Sequence, residues 1–365
     1  MSASLFVDDN PRAARQPKTD RLILKRLLDQ AVQDKRLQED ADQVHDVVLK
    51  WADLETGGTL ETLGETQLQG DFLADIFGTV LGYARPTDEG DTWSLEQHRT
   101  VGSRVPDAIL GKLQRDNLAG LRAVVELKGA KVHLDRDRSN GRTAVDQCWD
   151  YLIDTPRHCR WGIVSNFVSF RLYERDSTKR RYEHFSLQSL RDKDTFYRFY
   201  ALFHYAGLVE GPVRSKPRTQ ELFRKTSERQ RTVGDELYQL YSQRRIYLIR
   251  ELHIERGIGL AQAIEHTQRL FDRIIFIAFC EDRDLLPKNT LAKTYRRGEG
   301  RAVENPRWSA YVDLFKMVDQ GWPREDIPPY NGGLFKHGEL DLLDLPDEPL
   351  TSFFKALGGY DFADE

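Results

Sequence analysis

Apolar positions recur along this chain with two different periods, and the change from one to the other divides it. Residues 19–55 carry Leu22, Leu24, Leu27 and Leu28, then Val44, Val47, Val48 and Trp51, a helical pattern that Thr56-Gly57-Gly58 ends. Leu68, Phe72, Leu73, Ile76, Phe77, Val80 and Leu81 repeat at 3.6 residues, which predicts a second helical stretch closing at Gly82. Residues 1–18 lack such a pattern and read as flexible. From Val105 the period shortens. Val105 to Leu110 is a brief apolar run. Leu121 to Lys128 alternates, with Leu121, Ala123, Val125 and Leu127 on one face of a strand and Val124, Glu126 and Lys128 on the other. Thr143 can cap a helix reaching about Ile153. Trp161 to Ser165 and Ser169 to Tyr173 then read as two more strands.

The order helix, strand, strand, helix, strand, strand predicts an α/β domain, a mixed sheet flanked by helices. Val209-Glu210-Gly211-Pro212 with Pro217 reads as a linker, giving domains 1–210 and 211–365. The second is predicted to be mainly α-helical, with long amphipathic segments at Glu221 to Leu252 and Gly259 to Phe279 and a stop at Pro287. Residues 323–350 hold five prolines and the turn Asn331-Gly332-Gly333, so they read as loop-rich.

Composition narrows the class. With 39% hydrophobic and 31% charged residues the chain can bury a core. The sequence has neither a membrane-spanning apolar run nor a signal-peptide pattern, and its three cysteines are far apart, which fits a reducing cytoplasm. Net charge is −4, but its distribution is uneven. Arg214 to Arg256 holds eleven Lys and Arg against six Asp and Glu, and Lys131 to Arg181 eleven against seven. Glu339 to Glu365 holds one against eight. Either nucleic acid meets the middle of the chain and avoids its end, or the positive stretches are ordinary solvated helix faces.

The sharpest chemical signal is Pro106-Asp107 followed by Glu126-Leu127-Lys128. Strand alternation sets Glu126 and Lys128 side by side. Two carboxylates can hold a divalent cation that prefers oxygen ligands, and such an ion neutralises phosphate charge and activates water. A lysine beside them can stabilise developing negative charge. Alone, a Glu-x-Lys triplet would also fit a surface ion pair. Glu65 heads the buried face of its helix, where a first-turn glutamate also suits the helix dipole. Gln147 and Tyr151 are four apart on one helical face. Arg136, Arg138 and Arg142 follow the strand and could touch phosphate or simply be solvated. His158-Cys159, Trp149 and Trp161 read as packing.

Glu65, Pro106-Asp107, Glu126-Leu127-Lys128 and Gln147-x3-Tyr151, in that order, resemble the nuclease domain of Type IIG restriction-modification enzymes, within the PD-(D/E)xK nuclease superfamily. The stretches 270–287 and 330–335 resemble that family's helical connector, so the likeness covers roughly residues 60–365. The resemblance implies a restriction-endonuclease-like fold and Mg²⁺ held by Asp107 and Glu126 with Glu65 in support. It also implies Lys128 as a catalytic residue, with Gln147 and Tyr151 shaping the site. It implies double-stranded DNA as substrate, and methyltransferase and target-recognition domains elsewhere, since neither is readable in these residues. The apolar residues Leu340, Leu342, Leu343, Leu345, Phe353, Phe354 and Leu357 are then expected to form an exposed patch. The alternative class is a non-catalytic DNA- or protein-binding scaffold that keeps the nuclease fold.

Overall fold

The computed structural model describes residues 21–87, 91–115, 117–211, 215–283, 285–299, 301–330 and 332–347, with Phe353, Phe354 and Leu357. Residues 1–18, Pro212 and Asn331, expected as flexible or turn-forming, lie outside them. The chain divides into two compact units, Met1–Lys225 and Thr226–Glu365.

The first unit is an α/β domain. Its sheet holds β1 (Trp93–Gln97), β2 (Ala108–Leu113), β3 (Leu121–Leu127), β4 (Trp161–Ser165), β5 (Ser169–Glu174) and β6 (Glu183–Ser186), lying side by side in sequence order. Only β3 and β4 are parallel; the other neighbours pair antiparallel. A parallel pair needs a crossover, and the helix Ala144–Asp154 supplies it. The four expected strands are joined by β1 and β6 at the edges, both too short and too polar to announce themselves.

Three helices, α1 (Lys25–Ala31), α2 (Lys35–Asp42) and α3 (His45–Thr56), occupy the stretch expected as continuous helix. Asp34 causes one break: its side chain accepts from Arg36 N and caps α2. A short α4 (Thr59–Thr62) follows Gly58, whose φ of 72° favours glycine. Next come α5 (Glu65–Phe72) and a π-helix, Leu73–Val80. The wider π turn still buries Leu73, Ile76, Phe77 and Val80. Past the sheet, α6 (Ala144–Asp154), α7 (Lys193–Phe203) and α8 (Tyr205–Leu208) complete the unit.

Two cores flank the sheet. One holds Ala123, Val125 and Leu127 of β3 with an aromatic group that includes Phe72, Phe170 and Phe199. The other holds Val124 with Cys148 and Leu152 of α6. Leu121 departs from expectation. It joins Val124's side because the pairing of β2 with β3 is irregular at Leu110/Gly111, which turns Leu121 to the other face.

The second unit is helical. The long α9 (Arg218–Arg250) crosses the division between units and runs into a π-helix, Glu251–Glu255. After it come α10 (Leu260–Asp282), α11 (Thr290–Gly298), α12 (Pro306–Gln320) and α13 (Glu339–Leu342). The division falls beyond the expected boundary at residue 210 because the start of α9 belongs to the first unit. Leu222 packs in the first unit's core, and Thr219 Oγ1 donates to Leu202 O at 2.8 Å. The expected apolar patch at the chain's end is corrected too. Leu340, Leu345, Phe353, Phe354 and Leu357 are buried in the second unit's own core, and Leu343 packs against it. Leu342 alone of that set is well exposed. Among the described residues no helix is long and apolar enough to cross a membrane.

Candidate active site

The C-terminal end of β3 gathers the site. Ala108 pairs with Val125, so the antiparallel register carried one step further sets Asp107 across from Glu126. Asp107 Oδ2 accepts from Leu127 N at 2.6 Å. Glu65, the first residue of α5, reaches the same strand end from the opposite core, its Oε2 accepting from Gly129 N at 2.9 Å. What places Glu65 there is Phe72, two turns along the same helical face. Phe72 stands edge-on to Phe167 at 4.9 Å between ring centroids and stacks on Phe170 at 5.7 Å. Phe167 sits in the turn after β4, and Phe170 just beyond it on β5.

Glu126 is the most constrained group. It is 2% exposed, next to the last residue of β3, with apolar residues on either side of it along the strand. Lys128 Nζ contacts its Oε1 and also donates to Leu127 O at 3.0 Å. The Tyr151 hydroxyl lies near enough to the Glu126 carboxylate to favour its charged form. Burial and then the charge of Asp107 push Glu126 up to about 7, against the pull of Lys128 and Tyr151. For Lys128, burial works against the ammonium, but Glu126, Asp107 and Glu65 outweigh it and raise its pKa. Burial and then the charge of Glu126 raise that of Tyr151.

Tyr151 reaches Glu126 because α6 lies close on the sheet. A Cβ at Gly162 of β4 would stand 2.6 Å from Cys148 Sγ and 3.0 Å from Leu152 Cδ1, so only glycine admits the helix this near. Thr143 caps α6 in a reciprocal pair with Asp146, the two bonds measuring 3.1 and 3.2 Å. Gln147 lies one turn before Tyr151 and half-buried, but its side chain has no hydrogen-bond partner among the described residues. The structure thus brings Asp107, Glu126, Lys128, Glu65 and Tyr151 together, and leaves Gln147 beside them without a bond.

Among the described residues no group of three His, Cys, Asp or Glu is set to hold a metal ion. The reason is visible in the bonds. Asp107 and Glu65 each turn an oxygen to a backbone N–H, and Glu126 faces Lys128 and Tyr151. The donor set nevertheless suits a hard divalent cation. All its donors are carboxylate oxygens, and one of them is buried under repulsion from another, a state that added positive charge relieves. A Cβ at Gly129 would meet nothing within 4 Å, so space opens next to Lys128.

Sequence reasoning missed Asn166. Its Nδ2 donates to Val132 O at 2.9 Å and Ala130 O at 3.5 Å, and its Oδ1 accepts from Ser169 N at 2.9 Å. It ties the segment leaving the site to the β4–β5 turn. The only signal was an asparagine between two strand patterns, which reads as an ordinary turn residue. No family model, curated protein or solved structure matches this chain.

Proposed function

We propose that this chain is a Mg²⁺-dependent endonuclease with a restriction-endonuclease-like fold, the cleavage module of a cytoplasmic restriction-modification system that defends against phage. Its substrate is double-stranded DNA. The observation that carries the reading is one buried carboxylate, Glu126, opposed by a second, Asp107, with the Lys128 ammonium against it. Such an arrangement stabilises nothing in the protein by itself and favours a bound cation. Mg²⁺ would be held by Asp107 and Glu126 with Glu65 in support, and would neutralise the scissile phosphate and activate water. Lys128 keeps a proton next to the reacting phosphate, where its charge meets the negative charge that develops during attack. Tyr151 holds the Glu126 carboxylate in one orientation. Gln147 helps shape the site beside it. Methyltransferase and target-recognition domains, on the same protein or on a partner, would choose the sequence, because phosphate contacts alone position without reading bases.

Nicking of supercoiled plasmid by the full chain with Mg²⁺ tests this. Asp107→Asn and Glu126→Gln should each lower the rate on the order of 10³-fold. Lys128→Ala should lower it while Mg²⁺ binding persists. Wild-type rates from a purified Asp107→Ala protein overturn the proposal. The second reading, a scaffold that retains the fold, draws on the carboxylates' engagement with backbone and lysine. Calorimetry separates the two: a scaffold takes up no Mg²⁺ at this site.

A further inference from the structure

The segment that leaves the site, from Gly129 to Arg142, sorts its charges. Its two acids are engaged within the fold. Asp135 takes both Nη1 and Nη2 of Arg171 on β5, at 2.6 and 2.8 Å. Asp137 Oδ2 accepts from His133 N at 2.8 Å. Of the basic residues, Arg142 is also consumed, paired with Asp150 on α6. Lys131, Arg136 and Arg138 differ. All three are exposed and form no ion pair among the described residues.

The same segment is fixed along its length. Asn166 holds the carbonyls of Ala130 and Val132. Leu134 is buried in the core under α6. Asn140 and Gly141, with φ of 51° and 79°, make the tight turn that brings Ser139 against Arg142. A merely solvated loop has no use for so many anchors. A loop that must hold cations still does, because conformational freedom already lost on folding is not lost again on binding.

We propose that Gly129–Arg138 is a preset rail for the sugar-phosphate backbone of duplex DNA, continuous with the carboxylate site. Lys131, Arg136 and Arg138 contact phosphates, and Arg171 is a positioning residue that acts by chelating Asp135. The nuclease reading enters only in naming the polyanion as DNA.

The test is binding of the full chain to a short duplex of arbitrary sequence, without divalent metal, across a range of salt. Replacing Lys131, Arg136 and Arg138 together by alanine should lower the slope of log affinity against log salt by about three, roughly one per cation removed. Asp135→Ala gives the decisive sign. It deletes a negative charge, so a surface acting through net charge alone binds DNA more tightly. A rail that has lost its clasp binds more weakly, by roughly tenfold if most of the preset geometry is lost. Asp135→Glu, which can still chelate the guanidinium, should restore wild-type binding. Thermal melts establish that these exposed variants are folded. An unchanged slope in the triple variant, tighter binding by Asp135→Ala, or no binding by wild type overturns the rail. Cleavage with Mg²⁺ is read separately. A wild type that binds through these cations but never cuts leaves the rail standing and removes the nuclease reading.

Discussion

Each unit buries charge, and the two do so in opposite ways. In the second unit Arg273 of α10 is fully buried, yet every direction of its guanidinium is answered. Nε donates to Leu334 O at 2.8 Å, Nη2 to Lys336 O at 3.0 Å, and Nη1 pairs with Asp341. The rings of Phe315 and Phe335 lie under it at 5.0 and 5.9 Å. Asp341 in turn accepts from Gly338 N at 2.9 Å. This closed set clips the loop 334–341 onto α10. In the first unit Glu126 is buried almost as deeply, but its nearest strand partner in charge is another acid. One arrangement is complete as it stands, and the other sets the single cation Lys128 against the three acids Glu126, Asp107 and Glu65. That difference separates a fastening from a site: a group whose surroundings leave it uncomfortable is where a ligand has free energy to gain.

Three substitutions press on this contrast, beginning with the largest effect. Asp341→Ala leaves Arg273 buried without its carboxylate and should destabilise the second unit by about 3–5 kcal/mol in denaturant unfolding. A loss under 1 kcal/mol would mean that the clip is ornamental. Glu126→Gln should act in the other direction. With its pKa raised to about 7, native Glu126 keeps a proton that the unfolded chain has already released at lower pH. Stability of the metal-free protein therefore falls as pH rises from the ordinary carboxylate range to about 7, by about 3 kcal/mol in all. Glu126→Gln should be more stable than wild type at pH 8 and no more stable at pH 4. Equal melting curves at both pH values break the contrast. Glu65→Gln should do least. The amide can still accept from Gly129 N, so folding should be unchanged within about 0.5 kcal/mol. Its cleavage rate should lie between those of wild type and Glu126→Gln.

The two regions also differed in how readable they were. Glu126 and Lys128 were visible because a strand has period two, and two residues apart means one face. Asp107 was visible as the acid at the head of the neighbouring apolar run. Nothing local marks Arg273, since its partner Asp341 is 68 positions away and no period links a helix to a distant loop. The same blindness hid Asn166 and the clasp of Arg171 on Asp135, 36 positions apart. Among the sheet's core strands, β3 was legible from alternation and β2 from a short apolar run. The sheet's edges were not, because Trp93–Gln97 and Glu183–Ser186 are short and carry polar residues on both faces. The long helix from Lys25 to Thr56 failed for a different reason. Apolar spacing survives across a capped break, so the period alone cannot reveal the cap at Asp34.

The strands lie in the sheet in the order in which a ribosome would release them. Contacts between chain neighbours form with little loss of loop entropy. Asp107 and Glu126 therefore meet in the β2–β3 hairpin while the chain is still short. Their cover arrives only with α6 and β4, after synthesis has moved from Glu126 to Ser165, roughly 2–8 s later at about 5–20 residues per second. Until then Glu126 stands in water as an ordinary carboxylate. Nascent chains paused before Ser165 would carry an open acidic hairpin, and the repulsion that marks the finished protein is imposed only when the crossover helix closes over it.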